Sequence, residues 1–371
     1  MTAPKSIYVT RPSLPPFEQF VPMLKEIWGS RTLTNGGPFH QRFEAELARY
    51  LGVPHVTPVT NATIGLMVAL RALHVTGTEV ITTPFSFVAT GHSILWSGAT
   101  PVFADIDPET MNLDPAQIEK HITPRTSAIL AVHCYGRPCD LDGIRDVARR
   151  HNLKVLYDAA HAFAVRRSGD SVLKDDLSVL SFHATKVFNT FEGGAIISQT
   201  PEMKLEIDRL CNYGIVDELN IETTGLNAKM SEFNAALGLL QLQHVDAAIA
   251  QRRELDARYR QLLANVPGIR CVAPSGDGHN YYAFPILVKS GYALSRDALY
   301  ERLREHGFYA RRYFFPLISN MPMYSELLSA HPNRLPIANR IANNVLCLPL
   351  FADLTYSEQE QLIAVIAGAA R

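Results

Sequence analysis

The sequence predicts an α/β chain: a large, mostly parallel sheet domain over residues 1–245, then a smaller α+β domain over residues 246–371. Three observations carry this. Short runs rich in Val and Ile alternate with helix-like runs through the first two thirds of the chain. From about Lys229 that alternation stops, and a long helical segment is followed by strands with fewer helices between them. At 371 residues the chain is long enough for two domains. Helices between successive strands imply parallel crossovers, so both faces of the first sheet should be covered.

The elements follow in order. "FEQFVPMLKEIW" and "PFHQRFEAELARYLG" carry apolar residues at three- and four-residue steps, as amphipathic helices do. "HVTPV" reads as a strand, and "NATIGLMVALRAL" as a helix capped by Asn61 or Thr60. "EVITT", "PVFADI", "AILAVH", "KVLYDAA", "LSVLSF" and "GGAIIS" read as further strands, with helices such as "VATGHSILWSG" and "LDGIRDVARRH" among them. "KMSEFNAALGLLQLQHVDAAIAQRRELDARYRQLL" reads as one long helix bridging two lobes, so the boundary at 245 would fall inside it. Strands "IRCVAP" and "YYAFPILV" and helices "SRDALYERLREHG" and "SEQEQLIAVIAGAA" complete the chain.

Composition narrows the function classes. A formal net charge of −1 favours neither nucleic acid nor an anionic membrane as a partner. No run approaches the roughly 20 apolar residues that span a bilayer, and "MTAPKSIYVTRPSLPPFEQF" lacks the apolar core of a secretory signal. A cytoplasmic location is expected. The five cysteines include no CxxC pair, and the Cys134–Cys139 spacing suits zinc poorly, so reduced thiols and no metal site are expected. Neither GxGxxG nor GxxxxGK[ST] occurs, which disfavours a nicotinamide-dependent reductase and a P-loop.

Several residues carry chemistry. In "VLYDAAHAF", Asp158 ends an apolar strand, where open parallel sheets bind ligands, and His161 follows three residues later. Asp158 either caps the next turn or meets a cation in the cleft, since a buried carboxylate is costly unpaired. Asn61, Ala62 and Thr63 sit where a strand gives way to a helix N-terminus, which is either simply capped or binds an anion. Phe85 and Phe87 follow another strand, as core residues or, for Phe87, as cover for a planar ring. In "SFHATKVFNTFEGG", Ser181, His183, Thr185 and Lys186 cluster after a strand, and Gly193–Gly194 permit close backbone packing. A lysine there is either a surface residue or, if desolvated, an amine of lowered pKa that acts as nucleophile and proton carrier.

In this order the residues resemble those of pyridoxal-phosphate enzymes of the aspartate aminotransferase fold. More closely, the chain resembles the DegT/DnrJ/EryC1/StrS family of sugar aminotransferases. "TNGGPFHQRFEAELARYLG", "VITTPFSFVATGHSILWSGATPVFADID", "AILAVHCYGRPCD", "VLYDAAHAF", "SFHATKVFNTFEGGAI", "GLNAKMSEFNAALGLLQL" and "LPLFADLTYSEQEQLI" carry the resemblance over nearly the whole chain.

The resemblance implies pyridoxal 5′-phosphate as cofactor and a role for each matching residue. Lys186 would form the Schiff base and move the proton; Asp158 would pair with the pyridine nitrogen. His161 would contact the ring's phenolic oxygen, and Phe87 would stack on the ring. Ala62, Thr63 and Ser181 would hold the phosphate. Asn227 would reach a neighbouring subunit's phosphate, implying a homodimer with shared sites. The phosphate turn is commonly Ser-Gly-Thr in the family and Asn-Ala-Thr here, which leaves the role of Asn61 open. Thr34, Asn35, Gly36, Lys229, Arg312 and Tyr313 are candidate contacts for a sugar nucleotide or a carboxylate.

The implied reaction moves an amino group from L-glutamate to a nucleotide-linked keto-sugar. "RPSLPP", "LTNGGPFHQ", "TNATI", "ITTPFSFVATGHSILW" and "SFHATKVFNTFEGG" look most like enzymes that aminate dTDP-4-keto-6-deoxyglucose. The alternatives are a GDP- or UDP-linked sugar, a C3 ketone, or a non-catalytic sensor of the cofactor or the sugar nucleotide. Family dehydratases carry histidine at the position of Lys186, which argues against that branch.

Overall fold

The computed structural model describes residues 6–272 and 278–369. Helices Phe17–Ser30 (α1) and Pro38–Leu51 (α2) lead into a sheet of seven strands. In chain order these are His55–Val59 (β1), Glu79–Thr82 (β2), Thr100–Phe103 (β3), Thr126–Val132 (β4), Lys154–Asp158 (β5), Leu177–Ser181 (β6) and Gly194–Ser198 (β7). Ala62–Ala72 (α3), Val88–Trp96 (α4) and Leu141–His151 (α5) lie between them, and Pro201–Cys211 (α6) follows.

The spatial order is β1-β7-β6-β5-β4-β2-β3, parallel except that β7 runs antiparallel to both neighbours. A parallel neighbour needs a crossover, usually a helix. The β6–β7 connection, which holds Lys186, contains none and folds straight back. Both sheet faces are buried, as near-continuous apolar strands require. Ile81, Ile129, Tyr157 and Leu180 enter one core, while their neighbours Val80, Leu130, Leu156 and Val179 enter the other.

The long helix read from the sequence is two. Glu232–Leu242 (α7) and Val245–Leu263 (α8) are separated at Gln243 and His244. There the N–H groups of Gln243 and His244 turn to carbonyls three residues back, Leu240 and Gln241. The break falls where an Ala/Leu-rich helix packed on α2 gives way to a highly charged one. Residue 245 thus opens α8 instead of lying inside a continuous helix. Val245 and Ile249 pack on the large-sheet core, while Leu255, Tyr259 and Leu263 pack on a second core.

That second core covers an antiparallel sheet of Ile269–Cys271 (β8), Phe284–Val288 (β9) and Val345–Leu348 (β10), in the order β8-β9-β10. Arg296–Glu305 (α9) and Tyr356–Gly368 (α11) pack on it, and Pro336–Asn344 (α10) precedes β10. Parts of three expectations, the N-terminal stretch 1–5, the end of "IRCVAP" (Ala273 and Pro274) and the end of "SEQEQLIAVIAGAA" (Ala370), lie outside the described residues.

One buried carboxylate ties the chain start to α7. Glu232 is 1% exposed and accepts from the N–H groups of Phe39 (2.8 Å) and His40 (2.9 Å), capping α2, whose N-cap Gly37 has no side chain to do so. A Cβ on Gly37 would lie 2.7 Å from the Glu232 carboxyl carbon, so only glycine lets the two approach. Glu232→Ala strands both donors, and urea unfolding should show a loss of about 2–4 kcal/mol.

Among the described residues, no helix is long and apolar enough to cross a membrane and no cluster suits a metal ion. All five cysteines are free.

Candidate active site

The carboxyl ends of β1, β2, β5 and β6 meet along one edge of the large sheet, and the candidate residues stand there. Asp158 ends β5 and is 5% exposed. Its Oδ2 accepts from Thr90 Oγ1 at 2.8 Å and its Oδ1 from the Ala160 N–H at 3.1 Å. Burial raises its pKa, and the Thr90 and Ala160 hydrogen bonds and the charge of Lys186 oppose that rise. Among the described residues it forms no salt bridge.

Lys186 lies on the β6–β7 loop, fixed by its own N–H donating to the His183 carbonyl at 2.9 Å. The residue is half-buried, yet desolvation of its amine lowers the pKa to about 8, against the opposing pull of Asp158. Its Nζ lies 3.4 Å from the Tyr282 hydroxyl and 4.9 Å from that ring's centroid. Tyr282 stacks on His161 with ring centroids 4.1 Å apart. Burial, and then Lys186, hold the His161 pKa well below its ordinary value, so the imidazole is neutral. Its Nδ1 accepts from the Tyr135 N–H at 3.3 Å, which assigns the ring proton to Nε2.

The turn at Asn61 answers the question its sequence raised. Asn61 Oδ1 accepts from the Ile64 N–H at 3.0 Å, so Asn61 is the cap of α3. The N–H groups of Ala62 and Thr63 have no acceptor among the described residues and remain available at the positive end of the helix. Gly194 pairs with Val59 on one side and Ser181 on the other, which brings the start of α3 and Ser181 to either flank of β7. A Cβ on Gly194 would lie 2.9 Å from the Ala62 nitrogen and 2.7 Å from the Leu180 oxygen, so a side chain would close this cradle.

Phe87 caps α4 and is 60% exposed, with a free ring face. It lines a cleft of about 290 Å³ with Ser86, Arg312 and Tyr313. Arg312 is held by Asp297 at 2.8 Å and lies over the Tyr300 ring at 4.3 Å. The Tyr313 carbonyl accepts from the Tyr135 hydroxyl.

The remaining candidates group together. Thr34, Asn35, Gly36, Asn227 and Lys229 line a second cavity of about 800 Å³. There Lys229 donates to Asn212 Oδ1 at 2.7 Å, and Asn227 forms a β-bridge with Asn212. Lys229 also bridges Val59, and the Thr60 N–H donates to the Ala228 carbonyl at 2.8 Å, so this cavity adjoins the strand that leads into the start of α3.

Three site residues escaped the sequence reading. Thr90 grips Asp158 from α4, one turn after Phe87, where the sequence predicts a helix but gives Thr90 no role. Tyr282 lies in "YYAFPILV", which reads as a strand, and Asn280 just precedes it; Asn280 Nδ2 donates to the His161 and Phe163 carbonyls, and its Oδ1 accepts from the Tyr282 N–H.

A buried carboxylate without a cationic partner, an amine of lowered pKa, free helix N–H groups beside a glycine cradle and an exposed ring face fit one kind of group: a planar, phosphorylated, nitrogen-cationic aldehyde. The fold and site are those of an aminotransferase that uses pyridoxal 5′-phosphate. The chain belongs to the DegT/DnrJ/EryC1/StrS aminotransferase family, whose model matches residues 17–367. It is 51% identical over 368 residues to the dTDP-4-amino-4,6-dideoxy-D-glucose transaminase of Escherichia coli, covering 98% of this chain and 99% of that one. It is 35% identical to the GDP-perosamine synthase of Caulobacter vibrioides, over 90% of this chain and 91% of that one. Among solved structures, DesI in the presence of its TDP-sugar product matches with a TM-score of 0.93 at 36% identity, covering 99% of this chain and 93% of DesI.

Proposed function

We propose that this aminotransferase moves the amino group of L-glutamate to the C4 ketone of dTDP-4-keto-6-deoxyglucose, giving 2-oxoglutarate and dTDP-4-amino-4,6-dideoxyglucose. The observation that carries this reading is the 51% identity, across 98% of the chain, to a transaminase of that name.

The residues divide the work. When bound, pyridoxal 5′-phosphate supplies the electron sink that stabilises negative charge on the substrate carbon. Asp158 holds the ring nitrogen protonated. Lys186 Nζ would be the cofactor's covalent anchor, and its amine, of lowered pKa, would carry the proton. Phe87 would cover the cofactor's ring, and His161 would contact its phenolic oxygen. The Ala62 and Thr63 N–H groups and the Ser181 hydroxyl hold the phosphate. Arg312 and Tyr313, in the cleft with Phe87, contact substrate.

Asn227, with Thr34, Asn35, Gly36 and Lys229, serves the site of a neighbouring subunit in a homodimer. Their own cavity supports this, as do exposed apolar side chains elsewhere on the chain: Trp96 is 78% exposed and Leu219 90%. Five free thiols and the near-neutral charge fit the cytoplasm.

The test is direct. Purified holoenzyme given glutamate should lose its visible cofactor band, and dTDP-4-keto-6-deoxyglucose should restore it with formation of the C4 amino sugar. A band unmoved by glutamate overturns the donor. Faster turnover of a GDP- or UDP-linked ketone overturns the acceptor.

A further inference from the structure

A chain of three buried oxygens leads from the substrate cleft to Asp158. Ser86 Oγ lies 2.8 Å from Thr90 Oγ1, which lies 2.8 Å from Asp158 Oδ2. Ser86, Thr90 and Asp158 are 4%, 0% and 5% exposed, so water does not substitute for these contacts. The first two stand four residues apart at the start of α4, and Ser86 also lines the cleft beside Phe87 and Tyr313.

The direction of the chain follows from counting hydrogens. An ionised carboxylate only accepts, so Thr90 must donate to Asp158. A hydroxyl has one hydrogen, so Thr90 then accepts from Ser86, and Ser86 spends its own hydrogen on Thr90. The Ala160 N–H satisfies the other carboxylate oxygen. Thr90 is thus the side-chain donor that fixes Asp158, and Ser86 fixes the rotor of Thr90.

We propose that Thr90 is a positioning residue for Asp158, oriented by Ser86: its hydroxyl keeps the carboxylate ionised and aimed at the cofactor's ring nitrogen. This rests on the role given to Asp158 above. A Thr90 that merely filled space in α4 would be replaced by valine without consequence, since the two have the same shape.

The experiment measures the equilibrium affinity of the apoenzyme for pyridoxal 5′-phosphate as pH falls. The titratable groups whose charge acts on or responds to Asp158 are Lys186, Cys134 and Cys139, and His161 faces Lys186 in turn. Binding that needs the ionised carboxylate has an acid limb. Thr90→Val removes a hydrogen bond made to the charged form and should move that limb upward by about one pH unit. Thr90→Ser keeps the donor and should leave it in place.

Ser86→Ala frees the Thr90 rotor and should move the limb the same way by a smaller amount, which carries the test if Thr90→Val does not fold. An unmoved limb in Thr90→Val, or an equal shift in Thr90→Ser, overturns the proposal, as does an unmoved limb in Ser86→Ala. Asp158→Asn separates the two readings. If the limb survives that change, the role of Asp158 fails. If it vanishes while Thr90→Val leaves it unmoved, only the Thr90 relay fails.

Discussion

Lys186→Ala should lower kcat by at least about 10³-fold, the size of effect that a positioned proton carrier supplies, while pyridoxal 5′-phosphate still binds non-covalently. The proposed phosphate cradle at Ala62, Thr63 and Ser181 and the proposed ring partner Asp158 do not depend on the amine. Stopped-flow turnover together with equilibrium binding of cofactor would separate the two effects. The wild-type amine has a further signature. Burial lowers its pKa to about 8, so the neutral, nucleophilic form grows as pH rises through that value. Covalent reloading of the apoenzyme should quicken over the same range and level off above it. Retained transamination in Lys186→Ala contradicts the assignment.

Asp158→Asn should be the second most damaging change. It keeps the shape of the side chain but removes the charge proposed to hold the ring nitrogen protonated. Breaking a buried ion pair costs about 3–5 kcal/mol, or on the order of 10²–10⁴-fold in rate if it is felt in the transition state. The loss should appear in the glutamate half-reaction by itself, followed as decay of the visible band.

The cofactor-free protein should respond in the opposite sense. Burial raises the Asp158 pKa, so the folded state binds a proton more tightly than the unfolded chain does. Stability is therefore lost as pH rises from the unfolded carboxyl pKa through the raised folded one. Asp158→Asn removes that loss, so the apo variant should unfold at higher temperature near neutral pH. A variant that is both slower and less stable when cofactor-free would mark Asp158 as structural.

What was legible in the sequence is what depends on local pattern. Strand and helix alternation follows from side-chain periodicity, and Asp158, Lys186 and the Asn61–Thr63 turn stand at strand ends that the pattern locates. The Gly193–Gly194 pair was readable as close packing, and Gly194 does meet the start of α3. What was not legible depends on contacts between distant segments. Tyr282 reaches Lys186 across 96 residues, and Thr90 reaches Asp158 across 68. No local spacing encodes either.

The antiparallel setting of β7 was hidden because its run reads like the parallel strands beside it. Only the helix-free β6–β7 connection distinguishes it. The break at Gln243–His244 was hidden for a related reason: both sides favour helix, and what separates them is a change of packing partner. Family resemblance named Thr34, Asn35, Gly36, Asn227 and Lys229 together with Lys186. The fold gathers them around one cavity that adjoins β1, a grouping that one-dimensional motif order does not carry.

The most direct test of the account is chemical. Holoenzyme reduced with borohydride and digested should yield one modified peptide, carrying the cofactor's mass on Lys186. Cofactor mass on any other lysine, or on none, would contradict the assignment on which the proposed reaction stands.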